Sequence, residues 1–135
     1  MLKKVEIIRR EHFCSAHRLY LNHLSEEENK ERFDKCINIH GHNYELFVTL
    51  KGEVDMKEGL FINLTDVKQI LLEHVVDKVD HKYLNDIEDF KDIPPTVENM
   101  TIVFWEWLKP HFPDGLLYEV KLVETENNLA IYRGE

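Results

Sequence analysis

The fold of this chain is decided by residues 36–52, which read "CINIHGHNYELFVTLKG". In the second half of the stretch every other residue is apolar, a period of two that is typical of a strand with one buried face. The apolar positions on that face are Tyr44, Leu46, Val48 and Leu50. We therefore predict a strand over 41–52 whose apolar side chains enter the core.

Further elements are predicted on both sides of this strand. Ser25 and Glu28 have the spacing of a capping box, Thr96 is a helix N-cap, and Asn127-Asn128 is a turn pair. The predicted elements are a strand at 3–13, a short helix at 25–33, a helix at 65–78, a helix following Thr96 within 94–110, and a hairpin of 117–126 with 129–135. This order predicts one α+β domain over 1–135, with an antiparallel sheet and helices on one face.

The composition narrows the functional class. The 135 residues are 43% hydrophobic and 32% charged, with a formal net charge of −9, so nucleic acid is not an expected partner. The apolar runs are too short for a membrane span, and the N-terminus lacks a signal peptide, which makes the cytoplasm the expected location. Two cysteines do not suggest a disulfide scaffold, whereas eight histidines invite a search for a metal site.

Three histidines form the candidate metal site. His40 and His42 share a strand face about 6–7 Å apart, and His17 follows the first predicted strand, next to them in an antiparallel pair. Three imidazoles leave the fourth tetrahedral position open, as in catalytic zinc sites, although a lone His-x-His more often binds no metal. In a closed structural site, Cys36 or Cys14 would be the fourth ligand; otherwise we expect Cys14 to be a small core residue.

Two carboxylates are further candidates, and each has an ordinary alternative. Asp80 precedes His81 after a helix, where a carboxylate can orient an imidazole for proton transfer, although a solvated turn is the commoner meaning. Glu124 on a strand can clamp a ring that carries N–H donors, although most such glutamates are simply exposed.

Taken together, the motifs resemble a known family. "SAHRL", "C-x3-HGHNY", "GLFINLTDVK", "VDHKYLN", "PTVEN" and "VETENN…YRGE" stand in this order with these gaps, from about residue 5 to the end. The chain is thereby similar to the 6-pyruvoyl-tetrahydropterin synthase family, which includes 6-carboxytetrahydropterin synthases of queuosine biosynthesis. The resemblance implies a T-fold (tunnelling fold) with a four-stranded antiparallel sheet, two helices on one face and ββααββ order. It also implies a hexamer, built as a dimer of trimers with active sites between subunits.

The resemblance implies roles for individual residues as well. His17, His40 and His42 would bind Zn²⁺, and a pterin triphosphate, 7,8-dihydroneopterin triphosphate, would be the substrate of this carbon–oxygen lyase. The remaining roles fall to Cys36, Asp80 and His81 as catalytic residues, and to Glu124, Thr96 and Glu98 as substrate-binding residues.

Two products are compatible with these motifs. Three residues separate Cys36 from His40, as in the queuosine branch, whereas the long loop before Cys36 is typical of the pyruvoyl branch. Because the spacing sets Cys36 relative to zinc, we expect 6-carboxy-5,6,7,8-tetrahydropterin, with 6-pyruvoyl-tetrahydropterin as the alternative. A non-catalytic pterin- or zinc-binding T-fold protein is the alternative from another class.

Overall fold

The computed structural model describes residues 2–135, and its centre is a sheet of five strands. The strands are β1 (Leu2–His17), β2 (His40–Asp55), β3 (Lys82–Tyr83), β4 (Leu117–Thr125) and β5 (Asn128–Tyr132). Their spatial order is β3-β1-β2-β4-β5. Strands β1 and β2 pair antiparallel along their whole length, from Leu2 opposite Asp55 to His17 opposite His40. This long register brings the ends of the two strands, and their histidines, together.

The alternation predicted for β2 sets the position of the core. The four apolar side chains of the 41–52 prediction are fully buried, and the helices cover them. Val120 and Leu122 of β4 continue the same buried layer across the sheet. Burial of this apolar area stabilises the fold by about 25 cal/mol per Å². The face that the sequence pattern predicts to be buried is the face that the helices cover.

Three helices accompany the sheet. They are α1 (Glu26–Phe33), α2 (Leu64–Leu71, continued by a π-helical turn at Leu72–Val76 and by Asp77–Val79) and α3 (Val97–Leu108). Ser25 caps α1 in the predicted capping box with Glu28. Thr96 caps α3, since its side chain accepts a hydrogen bond from the backbone N–H of Asn99. Both caps confirm the predicted starts, whereas Asn63 begins α2 one residue earlier than expected.

The predicted architecture is correct in class and wrong in detail. Over residues 2–135 the α+β arrangement is present, but the sheet is five-stranded and mixed rather than four-stranded and antiparallel, and there are three helices rather than two. The extra strand is the two-residue β3, which pairs parallel to β1 through Ser15 and Ala16. Two residues are too few to produce a periodic pattern, so no sequence signal announces such a strand.

The first strand is longer than predicted. It continues four residues beyond Phe13 and ends at His17, so His17 is part of the sheet rather than of the following loop. Cys14 is half-exposed on the face away from the core, and its thiol lies 2.7 Å from the Asn43 side-chain oxygen, so the core position expected for it is wrong. Among residues 2–135, no helix is both long and apolar enough to cross a bilayer.

Candidate active site

Three histidine side chains converge at the ends of β1 and β2. His17 pairs with His40 in the β-ladder, and His42 follows two residues later on the same face. The ring centroids of the three lie 4.6 to 5.2 Å apart, and one nitrogen from each falls within 4.8 Å of the others. The strand register thus assembles the predicted trio of imidazoles within a single chain.

Backbone carbonyls orient two of the rings. The Nδ1 of His17 lies 2.8 Å from the carbonyl oxygen of Pro95, and the Nδ1 of His40 lies 2.7 Å from that of Asn38. A carbonyl only accepts, so each Nδ1 carries the proton and each Nε2 keeps a free lone pair. Such outer hydrogen bonds are the usual way in which metal-binding histidines are held.

The local electrostatics favour neutral imidazoles. Burial lowers the pKa of His17 to about 4, against a raising effect of the Pro95 hydrogen bond, and the neighbouring His40 and His42 lower it further. Burial and His40 also lower the pKa of His42. At neutral pH both rings therefore present lone pairs rather than protons to a cation.

The donor set fits a catalytic zinc ion. Three imidazole nitrogens are a known zinc ligand set with one position left open, and within the described part of the chain no cysteine joins the cluster. The closed structural site with Cys14 or Cys36 as fourth ligand is therefore not assembled by these residues.

Glu124 lies beside the histidines. Its Oε2 is 3.9 Å from the Nε2 of His17, and its side chain is 17% exposed. Burial raises the pKa of Glu124, His40 opposes this, and the carboxylate of Glu98 raises it further. Glu98 and Glu124 line one cavity of about 530 Å³. Thr96 uses its hydroxyl oxygen to cap α3, with the Asn99 N–H 3.1 Å away.

Asp80 and His81 lie in a different environment. His81 has a left-handed backbone (φ 59°), its side chain is 80% exposed, and its Nδ1 is 3.0 Å from Asp80 Oδ1. Both residues are hydrogen-bonded to the backbone of Cys14. The Asp80 carboxylate accepts from the Cys14 N–H at 2.9 Å, and the Cys14 carbonyl accepts from the N–H of His81. The first of these bonds lowers the pKa of Asp80.

Asp80 and His81 do not join the three-histidine cluster. The Cys14 side chain points away from the helix-covered face, because strand residues alternate and Phe13 and Ser15 are buried on that face. His81 lines a cavity of about 450 Å³ with Cys14, Gly41 and Asn43, and His42 also contributes to the lining of this cavity.

Cys36 occupies a third position. It lies on the short 3₁₀ turn Asp34–Ile37, and its carbonyl accepts a hydrogen bond from Leu19 N–H at 2.8 Å. That bond fixes the loop next to the segment that follows β1. One chain therefore assembles the three histidines with Glu124, and it holds Asp80 and His81 elsewhere.

Several residues around the histidines carry no sequence signal. Pro95 and Asn38 act through backbone carbonyls, which every residue has, so only the fold reveals them. Tyr44 is completely buried, and its ring centroid lies 5.5 Å from that of His42. Burial raises the pKa of the Tyr44 hydroxyl, and nearby Glu124 adds to this. The alternating pattern of β2 predicted Tyr44 only as a core residue.

Comparison with known proteins supports and corrects these predictions. The family model described as 6-pyruvoyl tetrahydropterin synthase matches residues 6–135. A 6-pyruvoyl tetrahydrobiopterin synthase of Dictyostelium discoideum is 53% identical, with both chains covered completely. The structure of the Caenorhabditis elegans 6-pyruvoyl tetrahydropterin synthase superimposes with a TM-score of 0.92 at 41% identity, covering 98% of this chain and 97% of that one.

These comparisons overturn the predicted product. A 6-carboxy-5,6,7,8-tetrahydropterin synthase of Aquifex aeolicus is only 28% identical, over 98% of this chain and 99% of its own. The expected 6-carboxy product is therefore wrong and the pyruvoyl alternative is favoured, and the expected place in queuosine biosynthesis is not confirmed. The three-residue spacing misled because a 3₁₀ turn and a loop, not a regular element, connect Cys36 to His40. The chain belongs to the 6-pyruvoyl tetrahydropterin synthase family and is a carbon–oxygen lyase of that family.

Proposed function

We propose that this chain is a zinc-dependent 6-pyruvoyl tetrahydropterin synthase, which converts 7,8-dihydroneopterin triphosphate to 6-pyruvoyl tetrahydropterin and releases triphosphate. The observation that carries the proposal is the convergence of His17, His40 and His42 beside the carboxylate of Glu124, 3.9 Å from His17. The similarity to synthases of that name supports the substrate and the product.

His17, His40 and His42 would hold zinc through their ring nitrogens, and burial lowers the pKa of His17 and of His42, which favours their neutral, metal-binding form. When bound, zinc would supply a Lewis acid that acidifies the C–H groups next to the substrate's side-chain hydroxyls. Glu124 is suited to accept hydrogen bonds from the amino group and ring N–H of the pterin, because it is half-buried and close to the histidines. Thr96 and Glu98 would add contacts at the rim of the same region.

Proton transfer falls to Cys36, Asp80 and His81. Cys36 as a thiolate would remove a side-chain proton, and His81, held by Asp80 at 3.0 Å, would relay protons while triphosphate leaves. Electrons from the side-chain carbons reduce the ring, so the reaction is an internal redistribution and needs no nicotinamide. In this assignment a second chain completes the relay, because within one chain Asp80 and His81 are not part of the histidine cluster.

We therefore include assembly in the proposal: a hexamer, built as a dimer of trimers, in which His81 serves the histidines of a neighbouring subunit. Ile8, Leu129 and Ile131 support an interface, because they are 61%, 49% and 47% exposed on the helix-free face of the sheet. The edge strands β3 and β5 also have unpaired backbone groups, which further copies of the chain can satisfy.

The activity is tested by incubating the zinc-loaded protein with 7,8-dihydroneopterin triphosphate. Triphosphate release is measured, and the pterin product is identified by mass spectrometry. We expect triphosphate and 6-pyruvoyl tetrahydropterin, whereas binding without release would indicate a non-catalytic pterin-binding protein. In the same assay Cys36→Ala should keep its zinc and lose turnover, and loss of zinc would instead mark Cys36 as a ligand.

The shared site is tested by mixing two inactive variants, His42→Ala and His81→Ala, under conditions that exchange subunits. If each site draws these residues from two chains, random mixing restores about a quarter of the wild-type activity. If each chain supplies a whole site, mixing restores nothing. Sedimentation of the wild-type protein gives the number of subunits independently.

A further inference from the structure

The hydroxyl group of Tyr44 is an anomaly in the core. The side chain is 0% exposed, and among residues 2–135 its hydroxyl has no hydrogen-bond partner. An unsatisfied buried polar group destabilises the fold relative to an apolar replacement of the same shape. Phenylalanine would fill the same space at this position without that cost, so the fold itself does not require the hydroxyl.

The position of this hydroxyl suggests a use for it. Tyr44 follows His42 by two residues on the same strand face, and its ring centroid lies 5.5 Å from His42 and 6.3 Å from His17. On its other side the ring stacks on Phe13 at 4.9 Å, which anchors it firmly. Tyr44 is therefore packed beside two of the three histidines, His17 and His42.

The neighbouring strand does not satisfy the hydroxyl. Glu45 pairs with Val123, so Tyr44 and Glu124 are neighbours across β2 and β4 on the helix-covered face. The Tyr44 hydroxyl nevertheless makes no hydrogen bond to the Glu124 carboxylate. The unused donor thus belongs to a side chain that neighbours His17, His42 and Glu124.

We propose that the Tyr44 hydroxyl is a further substrate-binding group of this site, which donates a hydrogen bond to an oxygen of the hydroxylated side chain of the bound pterin. This inference rests on the proposed function, which places that side chain at the histidines and the pterin ring at Glu124. A phenolic O–H is a good donor to a hydroxyl oxygen, and a donor held by stacking loses little conformational entropy when it binds. The cost of burying it in the free protein is recovered when substrate arrives.

The test compares Tyr44→Phe with the wild type in three measurements: thermal unfolding without ligand, zinc affinity, and pterin binding to the zinc-loaded protein. The two pterins are 7,8-dihydroneopterin, which has the hydroxylated side chain, and 7,8-dihydropterin, which lacks it. We expect the unfolding midpoint to rise by about 2–6 °C and zinc affinity to stay unchanged. Binding of 7,8-dihydroneopterin should weaken about three- to tenfold, with 7,8-dihydropterin unaffected.

Tyr118→Phe is the matched control, since it removes a tyrosine hydroxyl at the other end of the sheet, near Lys51 and Arg133. It should leave the binding of both pterins unchanged. Equal affinity of Tyr44→Phe and wild type for 7,8-dihydroneopterin overturns the inference, and so does equal weakening of both pterins, which would place the contact on the ring. A wild type that binds neither pterin and releases no triphosphate refutes the proposed function instead.

Discussion

The three histidines and the Asp80–His81 pair are built in opposite ways. His17 is 1% exposed, and the Pro95 carbonyl holds the proton on its Nδ1. Its partners His40 and His42 belong to the same chain. His81 is 80% exposed and stands on a left-handed backbone position at the sheet edge. The three histidines come together within one chain, whereas the imidazole of His81 is exposed at the surface of that chain.

This difference matches the two roles that we propose for these regions. A metal site needs rigid ligands with lone pairs directed inward, and burial between two long strands supplies that rigidity. A proton relay needs an accessible imidazole whose orientation is set by a carboxylate, and the strained turn at His81 supplies that. Substitutions in the first region should therefore act through zinc, and those in the second should leave zinc in place.

The largest effect is expected for His42→Ala, which removes one of the three proposed zinc ligands. Zinc should be lost on dialysis, and kcat/KM should fall by about 10³-fold or more, since Lewis-acid stabilisation is worth several kcal/mol. Metal analysis and the triphosphate assay measure both. His111→Ala, an exposed histidine in the turn after α3, should change neither value. Full zinc content in His42→Ala would show that the cluster is not the metal site.

A smaller effect with a different signature is expected for His81→Ala. Loss of a positioned acid–base group should lower kcat about 10²- to 10³-fold, with zinc content and substrate KM nearly unchanged. Because the side chain is exposed, the unfolding midpoint should not fall. Loss of zinc from this variant would erase the distinction between the two regions.

Acid should destabilise the metal-free protein through the buried region. His17 has a folded pKa of about 4 against an ordinary value of 6.5, so the unfolded chain binds its proton more readily. Its contribution to stability is complete above about pH 6.5 and is lost as pH falls towards 4, by about 3 kcal/mol in total. Urea unfolding of the zinc-free protein between pH 7 and 4 measures this loss. His17→Gln should flatten the profile in that window, and an unchanged slope would contradict the assignment.

The same contrast explains what the sequence could and could not predict. The period-two pattern of β2 placed His40 and His42 on one face, and strand pairing brought His17 to them. Asp80 and His81 were found as a pair, but a local motif contains no information about which side of the sheet it will reach. Tyr44 and Pro95 were missed as site neighbours, since an alternating apolar residue and a backbone carbonyl look ordinary in any sequence.

Some failures have a physical cause in irregular structure. The parallel strand Lys82–Tyr83 is too short for periodicity, and it forms because the turn at His81 returns the chain to β1. The Cys36–His40 spacing suggested the wrong product, because residue count does not fix distance across a 3₁₀ turn and a loop. The preceding long loop was the better guide, and buried Asn29 stabilises it through hydrogen bonds to Leu21 and Leu24.

The smallest expected effect concerns Asn99, which supports the buried region from a distance. Its side-chain amide donates to the Pro94 carbonyl at 2.9 Å, and the Thr96 N–H donates to the same oxygen at 2.8 Å. These bonds close a tight turn around Pro95, whose own carbonyl accepts from His17 Nδ1. Asn99→Ala should therefore loosen the proposed zinc ligand His17 and weaken zinc binding by up to about tenfold, less than loss of the Pro95 contact itself would.

Zinc-dependent thermal stability separates this role from ordinary helix capping. Asn99→Ala should lower the midpoint of the zinc-free protein slightly and should also shrink the increase that zinc produces, because that increase reports affinity. Thr101→Val is the matched control: it removes a hydroxyl bonded to the Val97 carbonyl within the same helix and does not contact the Pro94–Thr96 turn. It should lower both midpoints by the same amount. If Asn99→Ala behaves in the same way as Thr101→Val, the turn around Pro95 stabilises the fold and does not tune the metal site.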